Sequence, residues 1–231
     1  MSFNVVDWMI LAVIIVSVVY GLYRGFIYGV LSVAAFIASA LLAFSLCGDL
    51  ASWLQQNKTL VDTLIYYTDA GSRISNLDLS LLPVSQVTES ALSQILQSAN
   101  LPAAFEEAFI SSFTGASAST NIAQLLSQTI VNVSLSILSF LICFFIAYII
   151  CTFLIHLISY VFELPVLRHL DSLVGGVFGL IRGVMMVFVL FALVPIVLAV
   201  VPVDFVSEAV EASQLAPYFD SRIILQVLRG A

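Results

Sequence analysis

From Phe3 to Cys47 the chain carries two charges, Asp7 and Arg24, and from Ser172 to Val203 it carries one, Arg182. A third run, Ile130 to Phe162, has His156 as its one ionisable side chain of the basic or acidic types. Each run exceeds the roughly 20 residues that a helix needs to cross a bilayer, and the first is long enough for two crossings. Composition points the same way. Charged residues make up 9% of the chain and hydrophobic ones 61%, with mean hydropathy +1.14, whereas soluble domains carry about 25% charged residues. The expectation is an all-α integral membrane protein of about four transmembrane helices in two hairpins.

Span 1 is expected at 5–22 and span 2 at 26–46, meeting near Arg24. Asp7 and Arg24 then lie ~25 Å apart along the helix, near opposite faces of the bilayer. The first hairpin thus occupies 1–47. Its start, MSFNVVD, carries an acid and not the basic flank of a signal peptide, so the first helix is expected to stay in the membrane. Residues 48–128 are rich in Ser and Gln and more acidic than basic. Val87, Ala91, Ile95 and Ala99 recur every fourth place after Ser85, which predicts an amphipathic helix with a serine near its N-cap. This segment reads as an amphipathic helical insert between spans 2 and 3. The second hairpin is expected over 129–203, with span 3 crossing at 134–156 and ending before Pro165. A straight helix over 172–203 would be ~48 Å long against ~30 Å of hydrocarbon. A break at Gly175-Gly176 is therefore expected, leaving an interfacial half-helix at 172–182 and span 4 at 183–202, kinked at Pro195. Residues 204–231 form an amphipathic, acidic tail.

GLYRG at 21–25 and GLIRG at 179–183 place an arginine between glycines twice in apolar surroundings. Ser17, Gly21, Gly25 and Gly29 make one ladder of small residues at every fourth place; Gly175, Gly179 and Gly183 make another. Such ladders let helix backbones touch in lipid. Two main readings of Arg24 and Arg182 stand side by side, beside a third in which an arginine lines a water-filled conduction path. In one they are orientation anchors at cytoplasmic turns. In the other they pair with headgroups or with acids, Asp171 and Glu163 being the candidates, and so lock the hairpins together. By the positive-inside rule the short loops face the cytoplasm, and the insert and both termini lie outside.

Taken in order, Asp7 at the mouth of span 1, Arg24-Gly25, Pro165, LDSLVGGVFGLIRG at 170–183 and SQLAPYF at 213–219 resemble the colicin V production (CvpA) family. The resemblance implies a multi-pass protein of the bacterial cytoplasmic (inner) membrane, needed for producing or exporting a peptide toxin and for envelope homeostasis. It implies no catalytic residues. By position, Asp7, Arg24, Gly25, Asp171, Gly175, Gly179, Arg182 and Gly183 match the family's pattern.

No nucleophile elbow, zinc-protease helix, phosphate loop or dinucleotide fingerprint is present. The three cysteines show no metal spacing, and no cofactor or metal is expected. A net charge of −7 argues against nucleic acid as a partner. The expected partners are the lipid bilayer and membrane proteins, or further copies of this chain. The function expected is that of a non-enzymatic scaffold or accessory protein; the alternative is a small oligomeric channel or transporter.

Overall fold

The computed structural model describes residues 4–68, 80–99, 101, 103–117, 119–161, 168–200 and 204–219. Helices account for nearly all of these residues, and no strand occurs among them. They are α1 (Val5–Arg24), α2 (Phe26–Gln56), α3 (Lys58–Thr68), α4 (Glu89–Ala99), α5 (Ala103–Gly115), α6 (Ile122–Val161), α7 (Arg168–Phe191), α8 (Val194–Val200) and α9 (Asp204–Glu211). Four stretches are long and apolar enough to cross a membrane: Val5–Arg24, Phe26–Gln56, Ile122–Leu157 and Asp171–Leu198. The protein is an all-α membrane protein. Exposed Trp8 and Trp53 mark one end of the bundle and exposed Tyr23 the other, the levels at which aromatic side chains favour the lipid–water boundary.

Helix α1 begins with a capping box. Asn4 Oδ1 accepts from the Val5 amide at 2.6 Å, and the Asp7 carboxylate accepts from the Asn4 amide at 3.0 Å. It ends at Gly25, whose φ of 83° lies where a side chain is strained. One residue thus closes α1, with its amide on Gly21 O at 3.0 Å, and opens α2. Gly25→Ala is expected to destabilise the protein by about 2 kcal/mol or more, read as a lowered melting temperature in detergent, because the strain adds to a collision with Asp171.

The hairpins interleave. Helix α1 packs along α7, and α2 packs along α6 and α7, while α1 and α2 touch one another far less. Between α2 and α6 the interface is aromatic, with Phe36 on Phe144 at 5.0 Å and Phe44 on Phe140 at 4.8 Å between ring centroids. Helix α2 has 31 residues and α6 has 40, ~46 and ~60 Å at helical rise, so both outrun the hydrocarbon. The first turns of α6 stand outside it. There Ile122, Leu125, Leu126 and Ile130 join Ile95, Ala99, Phe105 and Phe109 in a second core, the cap. Helix α3 returns onto α6, where its Val61 and Leu64 join Leu54 of α2 against Val131 and Leu135.

Three expectations are corrected. Helix α7 runs unbroken through Gly175-Gly176, so 172–182 is no separate half-helix. The glycines are contact surface, and a break there would bare backbone groups with no water to satisfy them. The interruption falls at Ala192-Leu193, whose amides make short-range bonds to Val189 O (3.2 Å) and Leu190 O (3.0 Å). Pro195, lacking an N–H, cannot complete the regular ladder there. Span 2 does not stop at 46 but continues as α2 to Gln56, so the insert's first residues belong to that helix. The cap helix begins at Glu89 behind Thr88 and not at Ser85, which sits in a 3-10 turn (Val84–Gln86). Thr88 Oγ1 accepts from the Ala91 amide at 3.4 Å.

Candidate functional site

Helix α1 is gripped by α7 and the C-terminal tail at three levels. Along its length the two small-residue ladders meet. A Cβ built on Gly21 would fall 3.0 Å from Gly179 Cα, one on Gly179 would fall 3.1 Å from Val18 Cα, and one on Gly183 would fall 3.0 Å from Ser17 Cβ. Gly175 lies against Gly21 and Gly25 on the same seam, and Gly29 against Gly175 and Phe178. At Gly21, Gly175 and Gly179 the nearest atoms across the seam are backbone. At this separation the backbones gain dispersion contacts that lipid cannot match.

At the N-terminal end of α1, Asp7 is fully buried. Its Oδ1 accepts from the Ser213 hydroxyl at 2.6 Å and the Leu215 amide at 3.0 Å; its Oδ2 accepts from the Asn4 amide at 3.0 Å and the Gln214 amide at 3.4 Å. Asn4 Nδ2 adds a bond to Ala209 O at 2.8 Å. The tail thus folds onto the helix start, and Phe219 enters a cluster with Ile10 and Val187.

At the Gly25 corner, Asp171 Oδ1 accepts from the Phe26 amide at 2.9 Å. Helix α2 has no side-chain cap of its own; the acid at the start of α7 supplies it, placing negative charge at the positive end of α2. Beside it the Ser172 hydroxyl donates to Leu22 O at 2.6 Å. Among the described residues Asp171 therefore engages backbone and not an arginine. Arg24 Nη2 lies 3.1 Å from His156 Nε2, while His156 Nδ1 lies 3.0 Å from Thr152 O. A carbonyl can only accept, so Nδ1 carries the hydrogen and Nε2 accepts from Arg24. Glu163 lies outside the described residues.

Arg182 does not sit at a turn. It is eleven residues beyond Asp171, ~16 Å along α7, and only 9% exposed. Its Nε donates to Ser17 Oγ at 3.0 Å and its Nη2 to Ser17 O at 3.4 Å, and Ser17 Oγ passes its own hydrogen to Gly179 O at 2.7 Å. The guanidinium carbon stands 5.2 Å from the centroid of the Tyr20 ring, and that of Arg24 stands 5.7 Å from the same centroid. Tyr20 and Tyr28 share a hydroxyl–hydroxyl bond of 3.1 Å. The reading of both arginines as turn anchors therefore fits Arg24 alone. Glycine on either side lets Arg182 enter the seam where a larger neighbour would fill it.

Around Arg182 opens a cleft of about 530 Å³ lined by Ser17, Tyr20, Tyr28, Tyr148, Thr152 and, deeper, Ala12, Val13, Val16 and Met186. Sequence reasoning did not single out Ser213, Ser172 or the tyrosines as site residues. SQLAPYF was visible as a motif, but nothing local ties it to Asp7. No group of three or more potential metal ligands occurs among the described residues.

A family model described as colicin V production protein matches residues 6–99 and 107–223. The match includes Asp7, the Gly25 corner, both glycine ladders and the SQLAPYF turn. No curated protein and no solved structure matches the chain.

Proposed function

The chain belongs to the colicin V production family, and we propose that within it the protein serves as a non-enzymatic scaffold of the bacterial inner membrane, supporting toxin production or export and envelope homeostasis. One observation carries this reading. Helix α6 runs unbroken from the cap core, at Ile122 to Ile130, into the aromatic interface with α2 at Phe140 and Phe144. A partner bound to the cap would thereby be held rigidly against the bundle. The clasp of α1 on α7 supports the same view, since helices touching through backbone and pinned by polar groups resist the rocking that alternating access requires. Arg24 and Arg168 at the corner favour a cytoplasmic corner, with the cap and both termini outside.

The test is a photo-crosslinking residue at Gly115, where a new side chain would meet nothing within 4 Å. In native membranes it is expected to capture a discrete protein partner, and the yield should fall at least fivefold when Gly179→Leu is added. Absence of any adduct, together with ion flux through purified protein in liposomes that Arg182→Leu abolishes, would overturn the scaffold in favour of a channel. The buried cation within a spanning helix is the observation that makes the channel worth testing.

A further inference from the structure

We propose that the cleft beside Arg182 is a binding site for one anionic phospholipid, whose phosphate is held at Arg182 among Tyr20, Tyr28 and Thr152 and whose acyl chain lies along α1. Three observations converge on it. First, Arg182 is buried to nine-tenths inside the spanning region, and its contacts among the described residues are a hydroxyl, a carbonyl and a ring, with no carboxylate. Arg24, at the corner end, likewise meets His156 and the rings of Tyr20 and Tyr28. Both cations lie near one tyrosine ring, and among the described residues no carboxylate contacts Arg182, an arrangement that lipid surroundings make costly until an anion enters.

Second, the lining is graded with depth. Helix α1 and helix α6 run towards the corner, and α7 runs away from it. Toward the corner the walls offer Ser17 and Tyr20 from α1, Tyr28 from α2, Thr152 from α6 and Arg182 from α7; deeper, they offer Ala12, Val13, Val16 and Met186. Tyr148, deeper on α6, is the one polar group among the apolar walls. A phospholipid entering sideways has this same order, oxyanion at the boundary and hydrocarbon below. A free phosphate would match only the upper half.

Third, the cleft opens toward lipid: Val16 on its wall is 67% exposed and Ala12 is also exposed. The arginine side chain points back along α7 toward the corner, as helical side chains lean toward the N-terminus. Its guanidinium therefore lies nearer headgroup level than its Cα does.

The experiment is thermal melting of the full chain in neutral detergent with added phosphatidylglycerol, phosphatidylcholine or inorganic phosphate. Phosphatidylglycerol is expected to raise the melting temperature by about 5 °C more than phosphatidylcholine, the size of effect a ligand well above its Kd gives a chain of this length. Inorganic phosphate should give no such excess. Val16→Trp fills the acyl wall and leaves the hydrogen bonds of Arg182 alone; Arg182→Gln removes the cation. Each is expected to lose most of the excess, and Arg182→Lys to keep part of it. Should Arg182→Gln fail to fold, Val16→Trp still decides the matter. An equal rise with phosphatidylcholine overturns the proposal, as does an excess fully retained in Val16→Trp. A rise with inorganic phosphate alone overturns it in favour of a free-anion site.

Discussion

Gly179→Leu is expected to lower the melting temperature of the detergent-solubilised protein by about 10 °C. Leucine favours helix over glycine by up to about 1 kcal/mol, so α7 alone would be stabilised by the change. Against that stands the seam. A Cβ at this position would lie 2.5 Å from Ser17 O and 3.2 Å from Gly21 Cα. These are backbone atoms that cannot rotate aside, and leucine adds a further isobutyl group beyond the Cβ. Overpacking of a tight interface costs about 1–3 kcal/mol even where side chains can adjust. Here α1 must lift away, and the Ser17 bonds to Gly179 and Arg182 go with it. A net loss of about 3–4 kcal/mol follows, roughly 10 °C for a chain of this size. Gly48→Leu supplies the control, because nothing lies within 4 Å of a Cβ there; its melting temperature should be unchanged or slightly raised. If both variants behave alike, α1 and α7 are not clasped through backbone.

Asp7→Ala is expected to release the tail. Four donors converge on this carboxylate, and hydrogen bonds to a charged group contribute about 1.5–3 kcal/mol each. The Asn4 and Gln214 amides can turn to water at the helix start, which trims the sum, so a net loss of about 3 kcal/mol is expected. Hydrogen exchange is the sharper measurement. Amides from Leu215 to Phe219 should lose most of their protection, while those of α6 keep theirs. Asp7→Asn should fall between the two. Its oxygen can still serve Ser213 and Leu215, but its amino group would face the donors from Asn4 and Gln214. Unchanged protection of the tail in Asp7→Ala would show that Phe219, packed on Ile10 and Val187, holds the tail unaided.

The architecture was readable because hydrocarbon leaves so few options. Runs such as Phe3–Cys47 must be helical, and the length of a span follows from bilayer thickness. Glycines at every fourth place declare a helix face whatever lies opposite. What stayed hidden depended on the third dimension. Asp7 and Ser213 are separated by 206 residues, and no periodicity links a helix start to a turn at the other end of the chain. The depth of Arg182 was misjudged for a related reason. Gly175-Gly176 looks like a break when read as missing side chains, which moves the arginine to a boundary. With α7 continuous, the same residue stands ~16 Å inside. Asp171 was judged by its charge and matched to arginines, yet its acceptor oxygens go to a helix terminus that no local signal in α2 leaves visibly uncapped.

The cap that Asp171 provides also has a consequence for biogenesis. Helix α1 is synthesised before α7 and the tail, and although its capping box and Gly25 close it locally, the long-range bonds at both its ends come later. The Phe26 amide waits for Asp171, and the Asp7 carboxylate waits for residues 213–215. A segment that precedes its partners in the chain is therefore secured only after they have been made. Until Asp171 and residues 213–215 have been made, the nascent first hairpin keeps an open elbow and a bare glycine track, features that a membrane chaperone or protease could use to tell an unfinished chain from a finished one.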